Sequence, residues 1–170
     1  LAACGAGLLA GIPYLPTPLT RKSLVGFDIE KDHKYTIDQL NLLGDGGLTV
    51  VDPLSSGGRI VYGITTVQSG NPVEEEPSVV RIRDYVAQSA RTILDERFVG
   101  TVIEEQTVDN VAKVTRSLLE SLVTQRIITA YQNISAKIDP IEPRQINVGF
   151  DVAPVFPLNW IFIQFSIGVL

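Results

Sequence analysis

Methionine is absent from the 170 residues, and cysteine, histidine and tryptophan occur once each, as Cys4, His33 and Trp160. One cysteine excludes an internal disulfide, and with one histidine a zinc site of Cys/His type lacks ligands. A Ser-His-Asp or Cys-His site would have to run through His33. That residue lies in the charged, turn-like stretch Glu30-Lys31-Asp32-His33-Lys34, where a solvated surface histidine is the better reading. Positive charge is also scarce: 14 Lys and Arg against 19 Asp and Glu leave a net charge of −5. No basic patch is interleaved with aromatics, so neither nucleic acid nor an anionic membrane surface is an expected partner. The chain therefore reads as no enzyme, with no catalytic residue, metal or cofactor. The lack of methionine and the opening of Leu1 into a run of small apolar residues predict a fragment of a longer protein.

What is present is a globular composition, 45% hydrophobic and 19% charged, sufficient for one domain with a core. Residues 1–10 read as the end of a helix broken by Gly11 and Pro13, and the prolines from Pro13 to Pro18 mark an extended connector. Thr36 to Leu43 predicts a short helix with Ile37, Leu40 and Leu43 on one face. Strands are expected near Leu48–Val51 and Arg59–Val67, followed by a polar loop from Asn71 to Pro77. Val79 to Arg97 predicts a long helix on the spacing of Val79, Ile82, Val86, Ala90 and Ile93. Glu74, Glu75 and Glu76 stand beside its start, where the helix dipole favours negative charge. Thr107 is the expected N-cap of a second long helix, Val108 to Arg126, with Val111, Thr115, Leu118 and Leu122 facing inward.

The period then changes to two. Ile146, Val148, Phe150 and Val152 alternate with polar or small residues, and Ile161, Ile163, Phe165 and Ile167 alternate with Phe162, Gln164 and Ser166. Pro154 and Pro157 separate these expected strands. The expected fold is α+β, two long helices on a small mixed sheet. Its divisions are residues 1–18 (helix end and connector), 19–158 (the domain) and 159–170 (a terminal strand or arm).

Several patterns carry two readings. Gly5-Ala6-Gly7-Leu8-Leu9-Ala10 fits the dinucleotide-binding spacing, but only Leu1 to Cys4 precede it, too little for the strand that must feed such a turn. A helix of small residues explains the glycines as well. Leu1-Ala2-Ala3-Cys4-Gly5 resembles a lipoprotein cleavage box, without the upstream basic and apolar regions. Glu104 and Glu105 lie beside a helix start, where capping and solvation account for them. Val152 to Leu170 is uncharged, yet its prolines, polar residues and alternation argue against a membrane-inserted helix. Its last part is either a core strand or, since Trp160 and Phe162 make both faces apolar, a strand that pairs with a neighbouring chain. Asp109, Lys113, Arg116 and Glu120 recur on one stripe of the second long helix, as a solvated face or a docking face.

The order of features resembles the C-terminal region of contractile tail sheath proteins of phages and phage tail-like particles. The residues carrying it are Ala10-Gly11-Ile12-Pro13, Leu19 to Leu24, Leu40 to Val51 and Arg59-Ile60-Val61-Tyr62-Gly63. Val79 to Val86, the most specific stretch, and Val152 to Ile161 complete it. The resemblance implies a structural subunit of the virion, assembled in the host cytoplasm, that forms hexameric rings of identical copies around an inner tail tube. It implies baseplate and tail terminator proteins as further partners, and contraction that drives the tube through a cell envelope. It also implies terminal arms that add strands to neighbouring sheets, here Trp160, Ile161, Phe162, Ile163, Phe165 and Ile167. Asp109, Lys113, Arg116 and Glu120 are the expected tube-facing stripe. The alternative is a nucleotide-binding enzyme using Gly5 to Ala10.

Overall fold

Leu19, Leu24 and Ile60 are buried together, and Cys4, Leu8, Leu9, Ile12, Phe27 and Val51 close over them. They make the core of the first of two units, Leu1–Ser78 with Phe156–Leu170; the second is Val79–Val155. The computed structural model describes residues 1–27, 35–54 and 56–165. His33 lies outside them.

In the first unit α1 (Ala2–Gly11) leads through the proline-rich connector to β1 (Ser23–Leu24). Next come α2 (Ile37–Asp45), β2 (Val50–Pro53), β3 (Gly58–Tyr62) and the short helix α3 (Pro72–Glu75). The three strands pair antiparallel in the order β1-β3-β2. A capping box starts α2: the Thr36 hydroxyl accepts from the Gln39 N–H, and the Gln39 side chain accepts from the Thr36 N–H. The inward face expected for this helix holds in part, since Leu40 and Leu43 are half-buried but Ile37 is exposed. Gly57 is required by the turn between β2 and β3. Its φ is +74°, and a Cβ there would run into the carbonyl oxygen of Leu24. The loop expected over Asn71 to Pro77 contains a helical turn, because Asn71 caps the N–H of Val73 and Pro72 occupies the first helical position.

In the second unit α4 (Pro77–Phe98) buries Val79, Ile82, Val86 and Ala90 on one face, as the spacing predicts. Helix α5 (Glu105–Thr124) starts earlier than expected: Glu104 is the N-cap, and Thr107 lies in the first turn with its hydroxyl donating to the Val102 carbonyl. Its buried stripe is Val111, Thr115, Leu119 and Leu122, so Leu118 stands at the margin and Leu119 at the centre. Buried Thr115 donates its hydroxyl to the Val111 carbonyl one turn back.

Two hydrogen bonds stop α5, from the Arg126 N–H to Val123 (2.9 Å) and from the Ile127 N–H to Leu122 (3.0 Å), with Arg126 left-handed at φ 58°. This is the Schellman arrangement. Strands β4 (Ile128–Ile138) and β5 (Ile146–Pro154) follow as an antiparallel hairpin against which α5 packs. The α+β expectation holds, with the sheet divided into a three-stranded and a two-stranded piece, both antiparallel.

Candidate assembly surfaces

The C-terminal segment is held at its root and open beyond it. Glu76, only 6% exposed, accepts from the Ser78 hydroxyl (3.0 Å) through Oε1. Its Oε2 accepts from the Asn159 side-chain amide at 2.6 Å, across 83 residues of chain. Past this point the polypeptide enters no helix and no strand ladder among the described residues. Trp160, Ile161, Phe162, Ile163 and Phe165 are 72–87% exposed. The strand expected over Ile161 to Ile167 is thus not formed by residues 161–165, for want of a ladder partner; Ile167 lies outside the described residues.

In the hairpin, β5 alternates half-buried and exposed residues along its whole length, as predicted from Ile146, Val148, Phe150 and Val152. Its partner β4 carries an extra residue at two places, between Ile128 and Ala130 and between Gln132 and Ser135. Asn133 sits in the second bulge at φ 55°, its amide donating to the Asp151 carboxylate at 2.6 Å. The outer edges of β4 and β5 have no strand beside them among the described residues.

The hairpin loop is closed by polar bonds. Asp139 accepts from the N–H groups of Ile141 (2.8 Å) and Glu142 (3.0 Å) and from the Asn147 amide (2.7 Å). These donors hold its carboxyl below the usual range, the Glu142 N–H foremost. Glu142 and Arg144 form a two-point pair at 2.8 and 2.9 Å, which lowers the carboxyl pKa and raises that of the guanidinium.

On α5, Asp109, Lys113, Arg116 and Glu120 are all exposed. The ion pairs Asp52–Arg59, Arg83–Asp84 and Glu142–Arg144 do not involve them. Glu120 differs from the other three. It accepts from the hydroxyl of Tyr131 on β4 at 3.2 Å. Desolvation first, then this bond and the carboxylate's charge, push the tyrosine pKa up, with Arg116 opposing. Glu120 therefore ties helix to hairpin, while Asp109, Lys113 and Arg116 make no such contact among the described residues.

The remaining motifs fall elsewhere. Gly5 and Gly7 lie inside α1 rather than in a strand-to-helix turn, and no atom outside the helix stands within 4 Å of a Cβ built on either. Cys4 is half-buried in the same helix against the core of the first unit. Glu75 accepts from the Gly70 N–H at 2.6 Å, and Glu104 and Glu105 are exposed at the start of α5. Burial of Glu76 and its bond to Asn159 went unread in the sequence, where three consecutive glutamates look alike. Among the described residues no three His, Cys, Asp or Glu side chains cluster to hold a metal, and no helix is long and apolar enough to cross a membrane. An open groove of about 600 Å³ lies in the first unit, bordered by Asn41, Asp45, Tyr62, Gln68, Glu75 and Trp160.

No family model matches the chain. In sequence it is 26% identical over 163 residues to the tail sheath protein of Mycobacterium phage Bxz1. The match covers 89% of the chain, and the chain spans 26% of the length of that relative. In structure it is similar to a chain of the anti-feeding prophage baseplate, with a TM-score of 0.79 at 17% identity, over 97% of this chain and 48% of that one. It is also similar to the anti-feeding prophage helical sheath in its contracted state, with a TM-score of 0.72 at 18% identity, over 94% of this chain and 47% of that one. The resemblance to contractile tail sheath proteins holds, and the fold is one found in contractile particles.

Proposed function

We propose that this chain is the part of a contractile sheath subunit that joins neighbouring subunits, and that it acts through interfaces rather than catalysis. The observation that carries this reading is the C-terminal segment. Five large apolar side chains between Trp160 and Phe165 are exposed and without a ladder partner among the described residues. Full burial of each would contribute about 1.5–3 kcal/mol, a driving force for adding a strand to another copy. The unpaired edges of β4 and β5 are the kind of template that accepts such a strand.

The partners are other copies in rings, an inner tube and the baseplate and terminator at the two ends, within the virion or particle. The tube-facing stripe is Asp109, Lys113 and Arg116 on α5, with Glu120 already engaged by Tyr131. Nothing favours the nucleotide-binding alternative, since its glycines are helical.

Removing residues 159–170 tests the reading. A soluble, folded chain that no longer assembles is the expected outcome. Unfolding of the truncated monomer would place the segment in its own core and end the arm reading.

A further inference from the structure

The buried carboxylate of Glu76 has a task beyond its bond to the Ser78 hydroxyl. At the start of α4 it meets a donor from the far end of the chain, Asn159, at 2.6 Å. The Asn159 Oδ1 is buried without a partner among the described residues, so the bond to Glu76 is what holds this side chain inward. The reverse orientation, oxygen toward carboxylate, would set two acceptors against each other. Charge-assisted bonds of this kind are roughly twice as strong as neutral ones. Asn159 is half-buried and the next residue, Trp160, is 74% exposed, so the boundary between held and open chain falls between them. Trp160 also stands at the rim of two adjoining grooves that share Ile64 and Glu75 with it.

We infer that Glu76 and Asn159 form a latch that fixes where the C-terminal arm leaves the subunit. The latch gives the arm one point of departure, from which Trp160 onward reaches a second copy of the chain. Fixing the root reduces the conformational freedom lost when the arm pairs, so assembly is faster with the latch than without it. Both residues are positioning residues. The inference rests on the arm reading for its use, but not for its existence within one subunit.

Trp160, the sole tryptophan, reports directly on the latch through its time-resolved fluorescence anisotropy. Asn159→Ala is the primary variant, because Glu76 is more deeply buried and its replacement risks the fold. Loss of the bond should shift the latched-to-unlatched ratio by about tenfold or more, seen as a drop in residual anisotropy and slower assembly, with thermal unfolding lowered by only a few degrees. Glu76→Gln, which keeps an acceptor oxygen, should fall between wild type and Asn159→Ala. Adding Glu76→Gln to Asn159→Ala should loosen Trp160 no further. Unchanged anisotropy in Asn159→Ala, or additive loosening in the double variant, would overturn the latch. Loosening with an unchanged assembly rate would overturn its role in assembly. If the chain lacking residues 159–170 assembles normally, the arm reading fails separately, while the anisotropy result still decides whether the latch exists.

Discussion

Two segments near the C-terminus share a two-residue alternation of apolar side chains and have different outcomes. Residues 146–154 form β5, half-buried on one face along a hairpin partner. Residues 160–165 form nothing and expose both faces. The first segment has a ladder partner in β4 and a helix packed on the hairpin; the second has no ladder partner among the described residues. Alternation thus permits a strand, and only a partner makes one. An alternating apolar segment with no ladder partner among the described residues stays open to solvent.

The largest effect expected from testing this contrast is on stability. Leu119, fully buried in α5, should lose about 2–5 kcal/mol on replacement by alanine. Phe162→Ala, for all its size, should change stability by less than about 0.5 kcal/mol. Urea denaturation of the two variants side by side is the measurement; a comparable loss in both would mean that the arm belongs to the core.

A smaller effect is expected at the charged stripe. Reversing Lys113 and Arg116 to glutamate should leave the fold intact and weaken attachment to purified tubes. In the wild type that attachment should weaken with salt, because exposed charges are screened beyond about 8 Å at physiological ionic strength. Undiminished attachment with the same salt dependence would make the stripe a solvated face.

The smallest effect concerns the loop of the hairpin. The Asp139 carboxyl is held below the ordinary aspartate value by the donors it accepts from in the folded chain, the Glu142 N–H foremost. Its contribution to stability is therefore complete above that value and is lost as the pH falls through the lower, folded-state pKa. Asp139→Asn should flatten the acid limb of a stability–pH curve measured by denaturant unfolding. An unchanged acid limb would show that the loop bonds persist when the chain unfolds or add nothing to the fold.

The long helices were legible because their apolar spacing is regular over five or six turns, and the error at Leu118 was one position within that stripe. Strand β4 was not legible, for a physical reason. Its inward side chains, Ile128, Tyr131, Ile134 and Ala136, are spaced three, three and two, because each bulge adds a residue and breaks the alternation. Strand β1, two residues long, carries no periodicity to read. The helical turn α3 was signalled by Asn71 and Pro72, but its brevity hid it in a polar stretch. Of the candidate surfaces, the apolar alternation after Asn159 and the charged residues on α5 are visible as side-chain patterns in the sequence, and both are exposed. The latch is not visible there, since nothing in a run of three glutamates reveals which one meets a residue 83 positions away.

The junction between α5 and β4 has a mechanical meaning. The helix ends at Thr124 and the strand begins at Ile128. The three residues between each donate a backbone hydrogen bond to the end of α5, Ile127 is buried, and the Tyr131–Glu120 bond braces the corner from outside. A junction so short and so restrained leaves little freedom for a hinge between helix and strand. Any displacement of α5 would therefore carry the root of the hairpin with it.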